Sequence, residues 1–205
     1  MNFFGHAAVA SWSAPAAGVV LGAMLPDLAT MCGGRIASAG DPDVAAGIAL
    51  HHASDAAFHG LPVVLALMRE LDELLDERGC ARGPRRAVAH IGVELLLDGT
   101  LTDEPGYRAA YLRGLAHDTA VDWRDPDAAP RFAIVLDRLR ARGVPDDLRV
   151  PEAVATRLHR ILAPRPLLAP SPDDLRAIQS ALAAFQPRIE VAGDTVMRAM
   201  RAALG

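Results

Sequence analysis

Proline and glycine cut this sequence into pieces of helical length, and that punctuation limits its fold more than any other feature. Asp41-Pro42 reads as a capping aspartate with proline in the first turn, opening a helix that runs to Phe58 or His59 with Gly60 behind it. Leu61-Pro62 opens another, in which Val64, Leu65, Leu67, Met68, Leu71, Leu74 and Leu75 recur at helical spacing before Gly79. Helices are also expected over 85–97, 107–121, 131–142 and 151–162. Ser171-Pro172-Asp173-Asp174 combines a capping serine, a proline and acids at the positive end of the helix dipole. The helix it starts should reach about Ala203, with a kink at Pro187. The segment 32–40, with Gly33, Gly34 and Gly40, reads as a loop. No stretch alternates with period two.

Composition agrees with helices. Aromatics are 4% and hydrophobic residues 51% of 205 residues, with alanine and leucine dominant, which disfavours a β-sandwich and excludes global disorder. The expected fold is all-α: a single helical domain over 1–205, with 1–123 carrying the chemistry and 124–205 supporting it.

The charged residues exclude several functions. All 21 basic residues are arginine, so no Schiff-base or phosphate-loop lysine exists. A net charge of −4 argues against general nucleic-acid binding. Cys32 and Cys80 form no metal-binding pair and are expected to stay reduced. The apolar run from Ala14 to Leu25 lacks a preceding positive charge and is too short to span a bilayer. A cytoplasmic protein without a membrane span is the expectation.

Two polar stripes carry the candidate chemistry. His51, Asp55 and His59 fall at i, i+4 and i+8 on one helix, with His52 beside them. Ile48, Leu50, Ala53, Ala56, Ala57 and Phe58 flank them, so this helix is expected to be largely buried, with a cation compensating the polar groups. His90, Glu94 and Asp98 repeat the spacing among Val88, Ile91, Val93, Leu95, Leu96 and Leu97. Imidazole with carboxylate suits zinc, manganese or iron. The alternative is structural: a solvated face or satisfied core histidines, Glu94 paired with Arg85 or Arg86, and Asp98 capping a loop. Asp27 follows Pro26 at the end of an apolar segment, where an acid is commonly a cap. His117-Asp118 is a His-Asp dipeptide of the kind found in HD-type phosphohydrolases, or part of a solvated face with Asp122 and Asp125. Arg82, Arg85 and Arg86 could bind a phosphate through planar guanidinium forks, or form a solvated basic turn.

Several segments resemble one family. Met1-Asn-Phe-Phe-Gly-His6 is similar to the MNFLAH opening of acyl carrier protein phosphodiesterases, and Gly22-Ala-Met-Leu-Pro-Asp27 to their GNLLAD-type segment. The run from Val44 through Gly47, Ile48, His51 and His52 to Asp55 resembles their V-x-x-G-I-x-x-H-R-x-I-D motif. Glu94 to Asp98 stands at their D-x-x-x-D-H element, and Phe185-Gln-Pro-Arg188 resembles their closing F-x-P-R. His52 replaces the motif arginine, Glu94 the first aspartate and Gly99 the last histidine. The resemblance implies an HD-domain-like, manganese-dependent hydrolase that releases phosphopantetheine from a carrier-protein serine. It implies metal or active-site roles for His6, Asp27, His51, Asp55 and Asp98. The Gly22–Asp27 segment also resembles zinc-dependent phospholipase-C-like proteins.

The expected function is therefore phosphoester hydrolysis with a divalent metal, Mn²⁺ by resemblance and Zn²⁺ or Fe²⁺ by ligand type. His52, His59, His90 and Glu94 would serve as acid, base or phosphate ligand, and an acyl carrier protein is a candidate partner. The competing expectations are a non-catalytic helical binding or assembly protein and an HD-type di-iron oxygenase.

Overall fold

The computed structural model describes residues 1–12 and 16–205, so Ala14, where the expected apolar run begins, lies outside the described residues. The described chain is all-α apart from one small sheet. In order it forms α1 (Phe3–Ala10), α2 (Ala17–Met31), β1 (Ile36–Ala39), α3 (Pro42–Gly60), α4 (Pro62–Glu77), α5 (Arg82–Leu101) and α6 (Pro105–Ala116). These are followed by β2 (Val121–Trp123), α7 (Ala128–Arg142), a 3-10 turn (Asp146–Arg149), α8 (Pro151–Leu162) and α9 (Pro172–Leu204). No described helix is long and apolar enough to cross a membrane.

Local signals placed most helix starts. Asp41 caps α3 by accepting from the Asp43 amide at 2.9 Å. Ser171 and Asp174 form a reciprocal capping box on α9, each side chain accepting from the other's backbone amide. The expected helix over 85–97 runs instead from Arg82 to Leu101; it starts earlier because Pro84 falls in the first turn of α5, where its missing N–H needs no partner. The expected helix over 107–121 is replaced by a shorter one, capped by Glu104 onto the Gly106 amide at 3.1 Å and finished at Ala116.

The segment expected as a loop over 32–40 contains a strand. Ile36–Ala39 pairs antiparallel with Val121–Trp123, in a register that sets Ile36 opposite Trp123. Strands of three or four residues are too short for alternation to show, and their pairing is remote in sequence.

The chain divides into two compact units. The first comprises Met1–Ala56 and Leu101–Pro145, the second Ala57–Thr100 and Asp146–Gly205. In the first unit every residue of α1 is buried. A helix apolar all round belongs in a core, so its one ionisable side chain, His6, is buried with it. Around α1 pack α2 and α6, with Phe3 and Phe4 against the Tyr111 ring at 6.1 and 5.2 Å. In the second unit α4 and α8 pack on α9, whose stripe of Ile178, Ala181, Leu182, Phe185, Ile189 and Val196 is buried.

α3 is less buried than its apolar composition suggests. Its buried stripe is Val44, Gly47, His51, Ser54 and Phe58, while Ala45, Ala46, Ala49, Ala53 and Ala56 are exposed. Alanine costs little in water and favours helix, so an alanine-rich surface does not signal burial.

Candidate metal centres

In the first unit, His6 from α1, Asp27 from α2 and His51 from α3 converge. One ligating atom from each lies within 4.8 Å of those of the other two. The convergence starts with a close approach of backbones. A Cβ on Gly22 would collide with the Val44 carbonyl oxygen, and one on Gly47 with the Val19 carbonyl oxygen, so α2 and α3 touch where both lack side chains. Asp27 lies five residues after Gly22 and His51 four after Gly47. This contact carries both ligands to the same place. Asp27 is not a terminal cap; it sits within α2, which continues through Pro26 to Met31.

Hydrogen bonding sets the tautomer of both rings. His51 Nδ1 lies 2.9 Å from the Ala23 carbonyl oxygen, which can only accept, so Nδ1 carries the proton and Nε2 the lone pair. Ser54 Oγ donates to the His51 carbonyl at 3.0 Å. Its hydroxyl hydrogen is therefore committed, and His6 Nδ1, 2.9 Å away, must donate to it. His6 Nε2 is thus also a lone-pair nitrogen, buried and without a hydrogen-bond partner among the described residues. Burial, reinforced by neighbouring His51, holds the His6 pKa well below the ordinary imidazole range. Burial also lowers that of His51, against the opposing pull of the Ala23 carbonyl and Asp55. Neutral rings anchored through Nδ1–H are the form in which histidine ligates metals. Two imidazoles and a carboxylate are a donor set that suits a divalent cation.

Asp55 borders this centre, its carboxylate 3.9 Å from His6 Nε2 and half-exposed. His52 is exposed, its ring edge-on to His51 at 5.4 Å.

In the second unit, His59 at the end of α3 meets His90 and Glu94 of α5 as a second trio with ligating atoms within 4.8 Å. Glu94 Oε1 lies 3.1 Å from His90 Nε2 and 3.4 Å from His59 Nε2, and the two rings stack at 4.8 Å. Burial alone would raise the Glu94 pKa, but the hydrogen bond from His90 prevails and holds it below the ordinary range.

The α3 stripe therefore does not converge on one ion. Residues i and i+8 are about 12 Å apart along a helix axis, far beyond the span of one coordination sphere. His51 joins one trio and His59 the other. Asp98 is fully buried on α5 and belongs to neither trio.

Other sequence candidates are engaged elsewhere. Arg85 is neutralised by Asp72 at 3.3 Å and by Asp76, so Glu94 pairs with histidines rather than with Arg85. Arg82 and Arg86 are exposed. His117 Nε2 bonds Asp41 at 2.9 Å and Asp118 pairs with Arg140 at 3.0 Å, so the His-Asp dipeptide is split between two partners.

A groove of about 680 Å³ in the first unit was missed by the sequence reading. Its wall includes Pro26 and His52, the chain neighbours of Asp27 and His51, together with Arg35 and Arg124. Nothing local marks those two arginines, which are 89 positions apart. Comparison of the chain with protein-family models, with curated proteins and with solved structures finds no match in any of the three.

Proposed function

We propose that this protein hydrolyses a phosphoester, using a divalent cation held by His6, Asp27 and His51. The observation that carries the reading is the pair of buried imidazoles, each anchored through Nδ1–H, with His6 Nε2 left without a hydrogen-bond partner among the described residues. Core histidines with a purely structural role commonly satisfy both nitrogens; His6 does not. A bound divalent cation supplies Lewis acidity toward a phosphoryl oxygen.

The chain's own groups supply the rest. Ser54 and the Ala23 carbonyl hold the two rings in orientation. Asp55, close to His6 and open to solvent, accepts a proton from an attacking water. His52, exposed beside His51, gives a proton to the departing oxygen. The resemblance to acyl carrier protein phosphodiesterases extends the proposal to Mn²⁺ and to a phosphopantetheinyl carrier protein. We place the reaction in the cytoplasm, where two buried free cysteines remain reduced.

The test is hydrolysis of bis(p-nitrophenyl) phosphate by the purified chain with added Mn²⁺. His51→Ala and Asp27→Asn should lose activity by at least about a hundredfold, with chelation abolishing it reversibly. Undiminished turnover in both variants would refute the assignment.

A further inference from the structure

The two-stranded sheet places like charges opposite each other. The ladder sets Ile36 against Trp123, and the Arg124 amide donates to the Arg35 carbonyl at 2.9 Å, so the pairing continues outward to Arg35 and Arg124. Residues opposite one another in an antiparallel pair emerge on the same face, and like charges so placed repel. Local acids do not relieve that repulsion. Asp122 accepts from Ser38 Oγ at 2.6 Å, and Asp125 pairs with Arg131 at 2.7 Å. Neither Arg35 nor Arg124 forms an ion pair among the described residues, although acids outnumber bases in this chain. Both line the groove whose wall also carries His52, Ile36, Ala45 and Ile48.

We propose that this groove binds the anionic group of the substrate, with Arg35 and Arg124 clamping its oxygens and the apolar wall taking an uncharged substituent. The chemical class is a phosphoester bearing an apolar group. Two guanidinium forks carried at opposed strand positions and lining one groove match the several acceptor oxygens of a phosphoryl group. An anion bridging the two arginines offsets the repulsion between their like charges. Ile36, Ala45 and Ile48 give no polar partner to the remainder of the ligand, so bare inorganic phosphate leaves part of the groove unused. The identity of the anion as a phosphoester rests on the function proposed above; the clamp itself does not.

The experiment titrates the full-length chain with phenyl phosphate and with inorganic phosphate by calorimetry, in wild type, Arg35→Ala, Arg124→Ala and His51→Ala. Phenyl phosphate should bind more tightly than phosphate, and each arginine variant should weaken it at least about tenfold. Both arginines are exposed, so thermal denaturation should show the variants folded like wild type. His51→Ala should lose Mn²⁺ binding and weaken the anion less than either arginine variant does. Equal affinity in wild type and both arginine variants would overturn the proposal. So would loss of all anion affinity in His51→Ala alone, which would assign the anion to the metal centre, or failure of wild type to bind either probe. Anion binding without hydrolysis in wild type would sink the hydrolase reading and leave the groove standing.

Discussion

The His6 and His51 rings lie against each other with centroids 3.9 Å apart and planes tilted by 33°. Two imidazoles this close in a protein interior resist protonation, since each new charge would be desolvated and would repel the other. Both folded-state pKa values accordingly lie below the unfolded value of about 6.5. As pH falls below about 6.5 the unfolded chain takes up protons that the folded chain refuses. The stability contributed by the neutral pair is therefore complete above that pH and is lost as pH falls through the depressed folded values. In chelator, urea unfolding should show lower stability at about pH 5.5 than at about pH 7.5, with His51→Gln reducing the difference. A wild-type profile flat across that interval would contradict the neutral pair.

The glycine contact between α2 and α3 should be needed for both folding and metal affinity. Gly22→Ala and Gly47→Ala each force a Cβ onto a backbone carbonyl oxygen. Each should cost about 1–3 kcal/mol in denaturant unfolding. Each should also weaken Mn²⁺ binding at least about tenfold by separating Asp27 from His51. Gly40→Ala, where a Cβ meets nothing within 4 Å, should stay within about 0.5 kcal/mol of wild type.

The trio of His59, His90 and Glu94 should bind a transition metal independently of the first centre. Zinc titration of wild type should show about two ions per chain, and Glu94→Gln should leave about one. His51→Ala should remove the other, and the double variant both. A stoichiometry unaffected by Glu94→Gln would mean that the carboxylate serves only to bind the two rings.

Asp174 ties the start of α9 to the start of α5. Its carboxylate accepts from the Ala81 amide at 2.7 Å, from the Ser171 amide at 2.9 Å and from Ser171 Oγ at 2.7 Å. Burial acts to raise its pKa, but these bonds outweigh it and lower the value. The stabilisation is thus present above the unfolded pKa of about 3.9 and lost as pH falls through the folded value. Asp174→Asn should cost about 1–2 kcal/mol at neutral pH, with the deficit shrinking in acid. Burial first, then the charge of Asp174, pushes the Cys80 thiol up to about 12. Removing that charge should make Cys80 alkylate faster in the folded variant than in folded wild type, measured by mass spectrometry at mildly alkaline pH.

The helical class and the bounds of α3, α4, α8 and α9 were legible in the sequence because their causes are local. A cap such as Asp41 acts on an amide two residues away, and the Ser171–Asp174 box closes within four. His6, Asp27 and His51 were legible as candidates from residue type and resemblance. A shared metal role for them followed from the resemblance, but the geometry that unites these three was not readable, because it depends on two glycines meeting across helices and on α1 being buried on every side. Helix rise decides how the α3 stripe is shared: spacing i, i+4, i+8 keeps a common face but carries its ends too far apart for one ion, so neighbouring helices determine which residue joins which trio. The same holds for Arg35 and Arg124. Composition supplies their charge, but only the pairing of two strands remote in sequence sets one opposite the other, since backbone hydrogen bonds between distant segments leave no periodic trace in strands this short.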